Sequence, residues 1–124
     1  LVLDVGCGVG YSTAVLAALC DMVVAVEKDK TLAKSAEDAL YRVGAVNTAV
    51  VQGDPASGAA QQGPFDVIVI AQAIEVEPAA LLSQLKDGGR LGAFFRRCGV
   101  TKGSVWRRSG PAFSRIDMFD ASVR

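Results

Sequence analysis

The chain opens on Leu1-Val2-Leu3-Asp4-Val5-Gly6-Cys7-Gly8-Val9-Gly10-Tyr11-Ser12, an apolar run that empties into three glycines at alternate positions. Few folds accommodate that string. Leu1 to Val5 reads as a buried strand and Tyr11 opens a helical segment, so the glycines occupy a strand-to-helix turn. Glycine lets the backbone turn tightly and approach a ligand closely. The helix N-terminus that follows contributes unpaired N–H groups and a partial positive charge. Such a junction is a device for holding a nucleotide. The G-x-G-x-G spacing separates it from the dinucleotide fingerprint G-x-G-x-x-G, because the third glycine falls one place early at Gly10 and Tyr11 stands where that glycine belongs.

The remainder keeps a strand–helix rhythm. Met22 to Val26 reads as a second buried strand ending at Glu27. Thr31 is expected to cap a helix running to Val43, with Leu32, Ala36, Ala39, Leu40 and Val43 inward and Gly44 as its stop. The first helix is expected from Tyr11 to Leu19, with Val15, Leu16 and Leu19 on its apolar face. Thr48 to Gln52 is a third strand closed by Gly53-Asp54-Pro55. Phe65 to Ile70 is a fourth, apolar enough for mid-sheet. Pro78 starts a short helix through Leu85, Asp87-Gly88-Gly89 turns the chain, and Arg90 to Phe95 is a fifth strand. Thr101 to Arg108 and Phe113 to Phe119, split by Ser109-Gly110-Pro111, suit a hairpin. The expectation is one α/β domain over residues 1–124: a doubly wound, Rossmann-like, seven-stranded and mostly parallel sheet with a C-terminal antiparallel hairpin.

Composition narrows the function classes. At 124 residues and 51% hydrophobic content the chain can bury a real core. Thirteen basic and thirteen acidic residues cancel, which removes the electrostatic case for a general nucleic-acid binder. No apolar run is long enough to span a bilayer. The three cysteines, Cys7, Cys20 and Cys98, have no metal spacing, and there is no histidine. They read as reduced thiols of a cytoplasmic protein, with no metal site. The chain starts inside a strand without an initiator Met, so an N-terminal part is expected to be missing. The late basic residues Arg96, Arg97, Lys102, Arg107, Arg108 and Arg115 read as a solvated edge, and Trp106 as packing.

These motifs resemble class I S-adenosylmethionine-dependent methyltransferases: Asp4 to Gly10 as the glycine motif, Glu27 as the acid ending the second strand, Gly53-Asp54 as the acidic position after the third. Within that class the chain is most similar to the protein-L-isoaspartate O-methyltransferase family. The resemblance is carried by Gly10-Tyr11-Ser12-Thr13-Ala14-Val15-Leu16-Ala17, by Gly53-Asp54 and by Leu81-Leu82-Ser83-Gln84-Leu85-Lys86-Asp87-Gly88-Gly89-Arg90-Leu91. The ending, Arg107 to Gly110 and Met118 to Ala121, resembles a shorter bacterial branch. The chain departs from the family at Ala71-Gln72-Ala73-Ile74-Glu75, where a Thr-Ala-Ala-Ala-Pro type segment is usual near the substrate. The family's substrate-side hydroxyl lies upstream of the first strand, so no catalytic residue is identifiable within 1–124 and one is expected upstream of Leu1.

The resemblance implies S-adenosyl-L-methionine as cofactor, held by Asp4, Gly6, Cys7, Gly8, Gly10, Tyr11, Ser12, Glu27, Lys28 and Asp54. Gly6, Gly8 and Gly10 give the backbone approach, and Asp4 faces the amino-acid end directly or through water. Glu27 accepts from both ribose hydroxyls, as a carboxylate with two oxygens can. Lys28 lines the adenine edge or is simply solvated. Asp54 accepts the adenine amino group, although Gly-Asp-Pro is good turn chemistry by itself. Cys7 is a small loop residue with no histidine to activate it. The implied partner is a protein or peptide carrying isoaspartyl residues. Alternatives are a methyltransferase acting on a small molecule or RNA, and a catalytically decayed cofactor-binding module.

Overall fold

The computed structural model describes residues 1–6, 11–97 and 99–120. Its strands and helices follow in the order β1 (Val2–Val5), α1 (Tyr11–Ala17), β2 (Val23–Glu27), α2 (Lys30–Arg42), β3 (Thr48–Gln52), β4 (Phe65–Ile74), α3 (Ala79–Leu82), β5 (Leu85–Arg97), β6 (Val100–Ser109) and β7 (Ala112–Asp120), with a short 3-10 turn at Ala60–Gln62. All seven strands join one sheet in the order β3-β2-β1-β4-β5-β6-β7. The first five run parallel. The last two return antiparallel to their neighbours. This is the doubly wound, mostly parallel sheet with a closing hairpin that the sequence predicts.

Alternation along the strands divides the packing between two faces. On one face Leu3, Val5, Val24, Val26, Ile68 and Ile70 meet Leu81 and Leu82 of α3, and the same cluster continues through Leu91, Phe95 and Trp106. On the other, Ala25 packs with Ala36 of α2 and with Val50. Trp106 is buried edge-on against Phe95, ring centroids 5.5 Å apart at 77°. It anchors the hairpin to the core, in keeping with the packing role expected for it.

Several element ends differ from expectation for identifiable reasons. Asp29, not Thr31, caps α2: its Oδ1 accepts from the amides of Thr31 at 2.8 Å and Leu32 at 3.1 Å, as a short carboxylate one place before the helix does. Starting the helix there turns Ala33, Ala36 and Leu40 inward. It leaves Leu32 37% and Val43 69% exposed, against the inward position expected for both. Helix α1 stops at Ala17, so Leu19 falls in the turn beyond it and is 77% exposed. Asn47 fixes that stop by donating to the carbonyls of Ala17 and Cys20 at 2.8 and 2.9 Å.

Strand β4 runs on to Ile74 instead of ending at Ile70, paired along its extension with Phe94 and Phe95. Helix α3 is one turn long, and Gln84 already lies outside it. The Asp87-Gly88-Gly89 turn is absorbed into β5 as a bulge. Phe65 pairs with Leu85 and Val67 with Arg90, so the intervening residues of β5 loop out, with Gly88 at φ 81°. Positive φ suits glycine, which has no Cβ to clash.

Candidate functional site

Strand order fixes where a site can form. From β1 the chain builds outward through β2 and β3 on one side, then crosses back to β4 and β5 on the other. The junction between β1 and β4 is therefore a topological switch point, and the crevice at the carboxyl ends of the strands is where an open α/β sheet takes ligands.

The strand-end turns are stitched together there. The Gly6 amide donates to the Val26 carbonyl at 2.8 Å, and the Gly53 amide to the Glu27 carbonyl at 3.0 Å. Gly6 sits at φ 75°, which lets β1 break from extended backbone into its turn. The end of β1, the turn after β2 and the turn after β3 thereby hold a common front.

Facing that front is a cleft of about 550 Å³. Val5 and Ile70 line its base at the switch point. Lys28, Asp54 and Pro55 line the side formed by the β2 and β3 turns. Ile74, Glu77, Pro78 and Leu81, from the end of β4 through α3, form the opposing wall. Among the described residues the charged lining comprises two carboxylates, Asp54 and Glu77, and one ammonium, Lys28.

Of the residues that the sequence marks for the cofactor, Gly6, Lys28 and Asp54 line the cleft together. Asp54 also makes the turn: its Oδ1 accepts from the Ala56 amide at 3.0 Å, an Asx-type turn. Asp54 therefore lines the cleft while one of its oxygens is committed to the backbone.

Glu27 and Asp4, expected at the cofactor, are not among the residues that line this cleft. Glu27 is 8% exposed, and its Oε2 accepts from the Asp29 amide at 3.0 Å, so it also orders the entry to α2. Asp4 is fully buried, and its Oδ2 accepts from the Thr13 hydroxyl at 2.9 Å. Cys7, Gly8 and Gly10 lie outside the described residues, as do the side chains of Tyr11 and Ser12.

Two supports were not assigned a role from sequence. Gln84 is 8% exposed. Its Nε2 donates to the carbonyls of Ser57 and Ala80 at 2.7 and 3.1 Å, and its Oε1 accepts from the Ala59 amide at 3.0 Å. It clamps the loop after Asp54 to α3, joining the two walls from below. Glu77 was equally unmarked, because an exposed acid before a proline carries no motif. The nearest signal is the departure from the family pattern at Ala71 to Glu75, which ends two residues before it.

The family model described as Protein-L-isoaspartate(D-aspartate) O-methyltransferase (PCMT) matches residues 1–94. The protein-L-isoaspartate O-methyltransferase of Vibrio parahaemolyticus serotype O3:K6 is 47% identical over 90 residues, which are 73% of this chain and 43% of that protein. Its namesake from Myxococcus xanthus is also 47% identical over 90 residues, 42% of its own length. The chain therefore spans less than half the length of these curated relatives. Among solved structures, a protein-L-isoaspartate O-methyltransferase superposes with a TM-score of 0.88 at 26% identity, covering 97% of this chain and 39% of that one. A Plasmodium falciparum structure described as a beta-aspartate methyltransferase in complex with S-adenosyl-L-homocysteine shares the fold with a TM-score of 0.79 at 18% identity, over 97% of this chain and 62% of its own. The family match stops within β5, whereas the likeness of fold continues through the hairpin.

Proposed function

The chain belongs to the protein-L-isoaspartate O-methyltransferase family, and we propose that it is the S-adenosyl-L-methionine-binding domain of a cytoplasmic enzyme that methylates the free carboxylate of isoaspartyl residues in proteins, a repair reaction. The observation that carries this reading is the cleft at the β1/β4 switch point, fronted by Gly6 and flanked by Lys28 and Asp54.

The donor set fits that cofactor. The apolar base of Val5 and Ile70 suits a flat heterocycle, and the carboxylate of Asp54 suits an amino group. The net acidic lining suits a ligand bearing positive charge and no phosphate. Glu27, held at the end of β2 by the Asp29 amide, is the acid for the ribose hydroxyls. Asp4 contributes by fixing Thr13, and with it the start of α1.

S-adenosyl-L-methionine, when bound, supplies a methyl group on a sulfonium that is already a good leaving group, so the hard chemistry resides in the cofactor. The chain's own task is proximity and alignment, through turns held rigid by the Gly6–Val26 and Gly53–Glu27 hydrogen bonds. An isoaspartyl carboxylate is ionised at neutral pH. It needs no general base, which agrees with a chain that contains no histidine.

Calorimetric titration with S-adenosylhomocysteine, with NADH as control, tests the cofactor half of the reading. Binding of the first alone supports it; binding of NADH alone overturns it. Methyl transfer to an isoaspartyl peptide over its aspartyl counterpart then tests the acceptor.

A further inference from the structure

The cleft has two walls of different origin. Gly6, Lys28 and Asp54, from the strand-end turns, belong to the cofactor side in the reading above. The opposing wall comes from the segment after β4 and has one charged side chain, Glu77. Its backbone is closely constrained. Glu77 precedes Pro78, and a residue before proline is confined to extended conformations. Its carbonyl accepts from the Ala79 amide at 2.9 Å, and Pro78 in turn accepts from Leu82 at 2.9 Å. Leu81 and Leu82 are buried in the core, so this corner is anchored.

The Glu77 side chain is exposed and makes no ion pair with another described residue. A carboxylate carried on such a corner, at the mouth of a cleft with apolar walls, acts through its charge on whatever enters. It cannot attract the acceptor, which is itself a carboxylate. It can favour the complex only through a positive group beside that acceptor. Val76, 76% exposed next to it on the rim, offers an apolar surface for the stem of a lysine or arginine to lie along.

We propose that Glu77 is a specificity-determining residue: its carboxylate selects isoaspartyl peptides with a cationic side chain next to the isoaspartyl residue and disfavours those with an acidic one. The proposal rests on the isoaspartyl-acceptor reading above.

The test measures binding of two fluorescent isoaspartyl peptides, one flanked by lysines and one by glutamates, to the chain saturated with S-adenosylhomocysteine. Glu77→Gln is compared with wild type, and Glu37→Gln on the exposed side of α2 controls for net charge. The lysine-flanked peptide should bind about fivefold more tightly, the order expected of one exposed charge pair. That preference should shrink at high salt, collapse towards unity in Glu77→Gln and survive in Glu37→Gln.

A wild-type ratio near one, or a ratio unchanged in Glu77→Gln, overturns the proposal and leaves the acceptor reading standing. A drop in S-adenosyl-L-methionine affinity in Glu77→Gln with the peptide ratio intact overturns it in favour of a cofactor contact. If the chain binds S-adenosylhomocysteine and neither peptide, the acceptor reading fails and the proposal fails with it.

Discussion

The hydroxyl of Thr13 donates to the carboxylate of Asp4 at 2.9 Å, with both residues fully buried. The bond ties the first strand to the first helix, a buried hydroxyl donating to a carboxylate. Thr13→Val keeps the shape and deletes the donor. It should cost about 1–3 kcal/mol, because a buried carboxylate loses a partner it cannot replace with water. Urea denaturation measures the loss, and Thr13→Ser should recover most of it. A Thr13→Val midpoint equal to wild type would mean that the bond contributes nothing to the fold.

Gln84 and Gly58 form a second joint. Gln84→Leu removes the acceptor of the buried Ala59 amide and the donor to Ser57. The expected destabilisation is about 1–3 kcal/mol for the groups left unsatisfied. Gly58 has φ +63°, and a Cβ there would lie 2.5 Å from Leu81 Cδ2 and 2.7 Å from Gln84 Oε1. Gly58→Ala should therefore destabilise by more than the roughly 1 kcal/mol of a left-handed alanine alone, since Gln84 is tethered and cannot step aside. Thermal melts of the two single variants and the double variant read this out. The double should lose less than the sum, because both changes break one clamp. Simple additivity would show that the two residues act separately.

Asp54 serves turn and cleft at once, and two substitutions separate the roles. Asp54→Asn keeps an oxygen for the Ala56 amide and removes the charge. Asp54→Ala removes both. We expect the asparagine variant to fold with near wild-type stability and to bind S-adenosylhomocysteine more weakly. The alanine variant should lose binding and also about 0.5–1.5 kcal/mol of stability with its hydrogen bond. Wild-type affinity in both variants would reduce Asp54 to a turn-former.

The parts of this architecture that the sequence announced are those where one residue type answers one physical demand. Val23 to Val26 are buried on both faces of a parallel sheet, so the strand reads as an unbroken apolar run. Gly44 ends α2 with positive φ, as expected. The errors fall where two residues compete for the same task. Asp29 and Thr31 are both credible caps by residue type, and the inner face that includes Ala33 follows from the cap at Asp29. The extension of β4 through Ala71–Ile74 depends on pairing with β5, Ala73 with Phe94 and Ile74 with Phe95, a long-range contact that no local pattern encodes. The site was legible on the side built from glycine and acid motifs. It was illegible at Gln84, whose clamp arises only when α3 folds back against the loop after Asp54.

Glu27 holds the fold at the entry to α2 and is the proposed acid for the ribose, and its variants should divide the two roles. Its Oε2 holds the Asp29 amide just before α2, where Asp29 in turn caps the helix. Glu27→Gln retains an oxygen acceptor for that amide, so unfolding free energy should stay within about 1 kcal/mol of wild type, the scale of a single neutral hydrogen bond. Its affinity for S-adenosylhomocysteine should fall, because charged acceptors make the stronger hydrogen bonds to hydroxyls. Glu27→Ala should weaken binding by about 1.5–3 kcal/mol, the range for hydrogen bonds to a charged group, and should also loosen the start of α2. Calorimetry and amide exchange at Thr31 and Leu32 monitor the two effects separately. A binding loss below about 0.5 kcal/mol in the alanine variant, less than one ordinary hydrogen bond, together with faster exchange, would assign Glu27 to the fold and remove it from the ribose site.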